Sequence, residues 1–547
     1  MEKTLIFERI TKENIAKIEE QLKNYDGFSC EFTTANLLMW SEMYETAFAI
    51  QDDELYIRYK ERCGYFFALF GDGDVTERIE KITEYCLKNN IAPRISCNED
   101  EIAEAYENLT KDYDIFKYES SAEYIYLTED LATLKGKKYH SKRNHISSFD
   151  RQYNWTYEAL TAENSEEVLK LSLEWAADNF KNDTSSITTD RDGVKMLLDN
   201  MEQFSARGGL VRVDGKAVAF CLGTPINEQV FDINFEKALP EYQGAYAVIN
   251  REFAKNITEF KYINREDDLG IEGLRRAKLS YKPCKILNKY ACMPKSFKTQ
   301  AMELFIETFS DETTDSANEL FQKFFPENFY FKFVDNKIVS GLFVIKATLC
   351  GWEAGYVYGA ATNKKYRSRG YMRELLSLAA ENNDILFLKP ANKSLYRYYS
   401  KFGYKPRFYN KKISGRVELT KGKTNLEKIT DNTVFKSVRE TFLDDNWCVL
   451  SSKADELAVR NYDVFTDNTE NPEIFAITGV ENDTMIVYEL LYKKPYGEFL
   501  SALCEFYGVT EYSAYMPGVE NESGMLLCND EMSKIFPENL YLGYALD

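Results

Sequence analysis

The sequence predicts a mixed α/β protein made of tandem copies of one small architecture, four units in two pairs, with mixed central sheets flanked by helices. Three observations predict it. The chain has 547 residues, several times a typical domain length, so several separate cores are expected. Its composition is globular, 44% hydrophobic and 14% aromatic, with no segment biased toward disorder. One order of elements, a hairpin, a strand and a helix, recurs at four places.

The first copy is Phe48 to Tyr59, β-type sequence turning at Asp52-Asp53, then a strand at Tyr65 to Phe70, a helix from Val75 and a strand at Ile91 to Ser96. The second is Leu210 to Ile226, turning at Asp214-Gly215, a tight-hairpin signal. A strand at Val230 to Phe235, a turn through Pro240 and Gly244 and a helix from Ala245 to Ile257 complete it. The third has a hairpin across Asp335-Asn336-Lys337, a strand at Gly355 to Ala360, a turn at Arg369-Gly370 and a helix. The fourth is Phe475 to Leu491, turning at Asn482-Asp483, then a helix through Phe499 to Tyr507 and a strand at Thr510 to Met516. The expected domains are residues 1–292, 293–412 and 413–547, with the main boundary near Met293 to Phe297.

A formal charge of −20 repels polyanions at long range and argues against an ordinary nucleic-acid binder. The 11 cysteines have no CxxC pairing or ligand spacing, so they read as reduced thiols of a cytoplasmic protein, and no metal is expected. Residues 1–9 lack a basic segment followed by an apolar one, so no leader peptide is expected. The most apolar window, Ile338 to Leu349, contains Lys346 and is too short to span a bilayer, so no integral membrane association is expected.

The sharpest local signal lies in the third copy. Arg367-Ser368-Arg369-Gly370-Tyr371-Met372 follows a strand and opens a helix with Met372, Leu375, Leu376 and Ala379 on one face. Strand, glycine turn and helix start present unpaired main-chain N–H groups to an anion, and Arg367 and Arg369 add positive charge. A solvated basic turn before a core helix is the equal alternative on physics alone.

This stretch resembles the Arg/Gln-x-x-Gly-x-Gly/Ala coenzyme A motif of the GNAT acetyltransferases, with Met372 departing at the last small position. Downstream, Asn392 through Leu395-Tyr396 to Gly403-Tyr404 is similar to the closing segment of that family. The resemblance covers roughly residues 300–410 and implies acetyl-CoA as co-substrate. It places Arg367, Ser368, Arg369, Gly370, Tyr371 and Met372 at the diphosphate and Asn392 at the pantetheine arm. Tyr399 falls where the family often has the acid that protonates the leaving thiolate, a core aromatic being the other reading. Glu353 is a candidate base for the acceptor amine, or a surface ion-pair partner.

In the N-terminal half both histidines of the chain lie in Lys135-Gly136-Lys137-Lys138-Tyr139-His140-Ser141-Lys142-Arg143-Asn144-His145. So dense a positive cluster suits phosphate, or forms a solvated basic helix face. A second cluster, Arg265-Glu266-Asp267-Asp268 with Arg275 and Lys278, suggests a polar site of carboxylates held by cations, or surface ion pairs. Together these stretches resemble the C-terminal domain of the phosphatidylglycerol lysyltransferases over roughly residues 1–292. The resemblance implies two GNAT-like folds, with Lys138, Arg143 and Asn144 binding phosphate and Arg265, Glu266, Asp267 and Asp268 lining the acceptor or aminoacyl pocket.

These readings converge on an acyltransferase, acetyl-CoA-dependent toward a small-molecule or peptide amine. Two rivals stand beside it: transfer from aminoacyl-tRNA to a lipid or peptide by the N-terminal half, and a non-catalytic module that binds coenzyme A or an anionic metabolite. Residues 413–547 lack a comparable glycine loop and are expected to be a degenerate GNAT-like unit.

Overall fold

A computed structural model describes residues 5–61, 64–179, 184–309, 313–418, 424–443, 448–450 and 452–545. The chain divides into two compact units, one ending at Lys295 and the other starting at Ser296.

The first unit is one twelve-stranded sheet. Its strands are β1 (Glu8–Arg9), β2 (Ala47–Gln51), β3 (Glu54–Glu61), β4 (Gly64–Phe70), β5 (Ile95–Asn98) and β6 (Tyr113–Leu127). They continue as β7 (Trp155–Ala159), β8 (Arg207–Val213), β9 (Lys216–Pro225), β10 (Val230–Ala238), β11 (Tyr262–Asn264) and β12 (Lys285–Pro294). The order across the sheet is β1-β2-β3-β4-β5-β12-β6-β11-β10-β9-β8-β7. The last strand of the unit therefore returns to its middle, between β5 and β6. One apolar core joins the two ends of the sheet, with Phe48, Leu55 and Ile57 packing in the same cluster as Leu210, Phe220 and Leu222.

The second unit has eleven strands. They are β13 (Phe329–Val334), β14 (Lys337–Leu349), β15 (Trp352–Thr362), β16 (Ile385–Leu388), β17 (Lys405–Arg416) and β18 (Glu427–Ile429). Then follow β19 (Cys448–Leu450), β20 (Asp463–Thr466), β21 (Ile474–Glu481), β22 (Thr484–Tyr492) and β23 (Glu511–Cys528). The path is β13-β14-β15-β16-β23-β22-β21-β20-β18, with β17 on β23 and β19 on β14. The apolar window at residues 338–349 is the interior of β14, buried continuously from Ile338 to Ile345, as expected of a strand covered on both faces. No helix among the described residues is long and apolar enough to cross a membrane.

The four expected hairpins all turn where the sequence places them. Both turn residues have positive φ each time: Asp52 and Asp53 at 56° and 62°, Asp214 and Gly215 at 48° and 87°, Asp335 and Asn336 at 50° and 58°, and Asn482 and Asp483 at 47° and 61°. Two left-handed residues match the twist of the flanking strands, and Asp, Asn and Gly tolerate that conformation best. After each hairpin a helix leads to a strand parallel to the one before it: β4 with β5, β10 with β11, β15 with β16, and β22 with β23. The expected strand at Ile91 to Ser96 starts later, at Ile95, because Pro93 has no N–H to give a ladder. The expected strand at Thr510 to Met516 runs on to Cys528, because its continuation pairs with β16 and β17.

These parallel partners stay together only briefly. The β10–β11 ladder ends at Asp232 opposite Asn264, while β10 continues to Ala238. The β15–β16 ladder ends at Tyr356 opposite Phe387, while β15 continues to Thr362. Each splay leaves a stretch of main chain with no ladder partner on one side, where an extended substrate arm can find donors and acceptors.

Candidate functional site

In the second unit the loop after β15 leads into the helix Tyr371–Glu381. Gly370 caps it with φ of 87°, a left-handed conformation that glycine adopts without strain. No side chain caps this end, so its first N–H groups keep their capacity to bind. A Cβ built on Gly370 meets nothing within 4 Å, which leaves room for a diphosphate to approach the main chain. Arg367 and Arg369 are exposed beside it. Arg367 Nε donates to the Thr362 carbonyl at 3.1 Å, and the Arg369 guanidinium lies 4.8 Å from the Tyr366 ring centroid. Ser368 adopts φ of 62°, which tightens the turn. Met372 points the other way, into the core with Leu375, Leu376 and Ala379, so its bulk stays out of the loop while its N–H remains in the first turn. These residues fit the diphosphate of an acyl-coenzyme A.

Asn392 caps the helix Lys393–Ser400, its Oδ1 accepting from the Ser394 and Leu395 amides at 3.0 and 3.2 Å. The Asn392 side chain is exposed. Tyr399 packs against the same core cluster as Met372, with its ring 5.3 Å from Tyr398 and 5.9 Å from Tyr404. Burial pushes its phenol up to about 12, so it stays protonated at neutral pH and keeps a proton to give. Glu353 is exposed near the start of β15, at the opposite end of that strand from the glycine loop.

The first unit holds a second constellation, beneath the splay of β10 and β11. Arg265 follows β11 directly; it pairs with Glu236 on β10 at 2.7 Å and lies over the rings of Tyr281 and Tyr126. Its Nη1 is buried with no hydrogen-bond partner. Lys142, from the helix His140–Gln152, lies 3.8 Å from the Tyr281 centroid on the same ring. Burial, then the nearby Arg265 charge, pulls its ammonium down to about 8. The basic segment thus contributes Lys142. The three residues singled out there have local partners: Lys138 pairs with Asp130 at 2.8 Å, Arg143 donates to the Gly136 carbonyl at 2.8 Å, and Asn144 meets His140 Nε2 at 3.2 Å.

Glu266 and Asp267 turn from Arg265 into a buried acidic network, while Asp268 leaves it. Asp268 pairs with Arg275 at 2.7 Å and accepts from Tyr124 Oη at 2.6 Å, structural contacts that anchor the loop. Burial raises Asp267 to about 6 and Glu266 to about 7. Glu266 holds φ of 53°, a strained conformation for a non-glycine residue, fixed by its N–H donating to Asn264 Oδ1 at 2.7 Å. Asp232, fully buried on β10, accepts from Asn234 Nδ2 at 2.9 Å and Asn36 Nδ2 at 3.4 Å. Burial, with Glu266 and Glu123 nearby, pushes its carboxyl well above the usual range. Glu123 is equally buried, yet Lys289 and hydrogen bonds from Ser29 and Cys30 overcome that burial and hold its carboxyl low.

Sequence reasoning missed Asn36, Glu123, Asp232, Asn234 and Lys289. One signal was legible: Asp232 and Asn234, two residues apart in a strand of Val, Phe and Ile, put two polar groups on one face of an otherwise apolar segment.

Residues 23–293 match the family model described as phosphatidylglycerol lysyltransferase, C-terminal, and residues 290–407 match that of an acetyltransferase (GNAT) domain. An uncharacterized protein of Mycoplasmoides gallisepticum is 26% identical over 178 residues, 32% of this chain. The match spans 56% of that relative, about half its length. A conserved protein of unknown function from Bacteroides thetaiotaomicron, solved by crystallography, is 36% identical with a TM-score of 0.50, over 53% of this chain and 100% of its own. The structure of L-PGS from Bacillus licheniformis is 17% identical with a TM-score of 0.37, covering 54% of this chain and 94% of its own. A GCN5-related N-acetyltransferase from Kribbella flavida is 14% identical with a TM-score of 0.33, covering 43% and 70%.

Proposed function

Since the chain joins a phosphatidylglycerol lysyltransferase C-terminal domain to a GNAT acetyltransferase domain, and belongs to one family with the Bacteroides thetaiotaomicron protein, it is an acyltransferase, and we propose that it acetylates an amine with acetyl-CoA. One observation carries this reading: the uncapped, open helix start at Gly370 beside the splay of β15 and β16. When bound, acetyl-CoA supplies an activated acetyl group. The Tyr371, Met372 and Arg373 amides hold its diphosphate, with Ser368 shaping the turn and Arg367 and Arg369 adding charge. Asn392 Nδ2 contacts the pantetheine arm. The acceptor nitrogen attacks the thioester carbonyl, the carbon–sulfur bond breaks, and Tyr399 gives its proton to the sulfur. The proton the amine loses passes to water. The acceptor is a small molecule or a peptide, residues 413–547 act as a degenerate GNAT-like unit that shapes its pocket, and the setting is the cytoplasm.

The test is calorimetry and thermal shift of the full chain with acetyl-CoA and coenzyme A. Binding that weakens at least about tenfold in Arg369→Glu, and a melting temperature raised by ligand, support the reading. No heat and no shift with either ligand reject it.

A second reading has its own observation. The buried, unpartnered Arg265 Nη1 and Lys142 above the same Tyr281 ring suit the carboxyl or phosphate end of an acyl donor in the first unit. There the unit moves an aminoacyl group from aminoacyl-tRNA to a lipid or peptide, with Asp267 facing the ammonium. Labelled lysine or alanine entering lipid extracts only when charged tRNA is supplied is the required result.

A further inference from the structure

We propose that the Cys30 thiolate and the Asp232 and Glu266 carboxylates of the first unit bind one divalent metal ion of the zinc class. The three donors come from distant parts of the chain: the short turn Cys30–Phe32, strand β10 and the loop after β11. One donor atom from each lies within 4.8 Å of the others. Tetrahedral zinc, with bonds of about 2.0–2.3 Å, separates its donors by roughly 3.3–3.8 Å, so the trio closes by no more than about 1.5 Å.

No side-chain cation among the described residues meets the two carboxylates at contact distance: no lysine or arginine nitrogen lies within ion-pair distance of Asp232 or Glu266, although Asp232 is fully buried. Lys289 is taken by Glu123 and Glu31, and Lys278 donates to the carbonyls of Arg265 and Asp267. Asp232 Oδ1 is buried and no protein N–H or hydroxyl donates to it, so a cation can take the place of the proton that this carboxyl otherwise shares with Glu266. Two asparagines already orient the carboxylates as outer partners orient metal ligands. Asn36 Nδ2 and Asn234 Nδ2 each donate to Glu266 Oε1 at 3.3 Å as well as to Asp232. The thiolate and carboxylate set favours zinc or cobalt over calcium or magnesium, and three protein donors leave one tetrahedral position for water. Binding replaces the thiol proton by the ion and clasps the segment around Cys30 to β10. Sequence spacing hid this site, because no two of its donors are close in the chain.

The experiment uses the full chain, dialysed against chelator and titrated with cobalt. One cobalt per chain with a thiolate charge-transfer band is expected, lost in Cys30→Ser and in Asp232→Asn and retained when the exposed Cys284 becomes Ser. Absence of the band, or its persistence in Cys30→Ser, overturns the proposal. Should the Cys30 variant fail to fold, Asn36→Ala decides, because it keeps all three donors. About 10–100-fold weaker cobalt affinity is expected, and unchanged affinity refutes the site. Neither result bears on acetyl-CoA binding by the second unit.

Discussion

The carbonyl oxygen of His145 lies 2.8 Å from the position a Cβ on Gly244 would occupy, so the helix start in the first unit is closed by main chain where the one at Gly370 is open. Gly244 and Gly370 share the left-handed conformation, with φ of 101° and 87°, and both open a helix after a splayed strand. Position and conformation agree. Only the packed neighbour differs: main chain lies against Gly244, and open space lies at Gly370.

Alanine at the two glycines separates these roles. Each variant takes on left-handed strain of about 1–2 kcal/mol, and Gly244→Ala adds a collision with the His145 carbonyl. Urea unfolding is expected to show the larger loss in Gly244→Ala. Gly370→Ala should lose more affinity for acetyl-CoA than stability. Equal losses of stability would show that the two helix starts are packed alike.

Tyr399→Phe is expected to slow turnover about a hundredfold while acetyl-CoA binding is retained, the size of effect usual for removing a general acid. Because the phenol is raised to about 12, rate against pH should show no alkaline fall from this group below about pH 11. Equal turnover by wild type and variant would remove Tyr399 from the chemistry.

Lys142, held at about 8, is about one-tenth neutral at pH 7, whereas an ordinary lysine is neutral well below one part in a thousand. Trace acetylation with acetic anhydride followed by mass spectrometry is expected to modify Lys142 at least about tenfold faster than Lys138. The ion pair with Asp130 raises Lys138 instead. Arg265→Met should slow Lys142 by relieving the repulsion, and a Lys142 no more reactive than Lys138 would contradict the geometry.

In the second unit burial raises Asp455 to about 6, despite the Arg439 charge nearby. An aspartate near 4 when unfolded binds fewer protons between pH 4 and 6 than the folded one, so stability from this group is present at pH 4 and lost as pH rises through 6. The unfolding free energy of wild type, measured in urea, should fall across that window relative to Asp455→Asn by about 2–3 kcal/mol. Parallel curves would refute the shift.

Arg439 and Glu489 form a buried pair at 2.6 Å in the same unit, and Glu489 also accepts from the Tyr544 amide at 3.2 Å. Arg439→Met is expected to cost about 3–5 kcal/mol, because it strands a buried carboxylate, while replacing both partners with Met should recover much of that loss.

The hairpins, the order of elements and the face of the helix after Gly370 were legible in the sequence because each is set by neighbours in the chain. Asp-Asp, Asp-Gly and Asn-Asp tolerate positive φ in two-residue turns, and Met372, Leu375, Leu376 and Ala379 share a face through helical period alone. The glycine loop could be read for the same reason. What tertiary structure decided is which polar groups meet. Cys30, Asp232 and Glu266 converge because the segment around Cys30 and the loop after β11 both fold onto β10, a pairing no local pattern encodes. Lys142 rather than Lys138 enters the site, because which cation of a basic run is desolvated depends on whether Tyr281 or Asp130 lies beneath it. Local chain physics dictates conformation within a few residues, whereas burial and charge balance are settled between segments far apart in sequence, and chemistry follows from those.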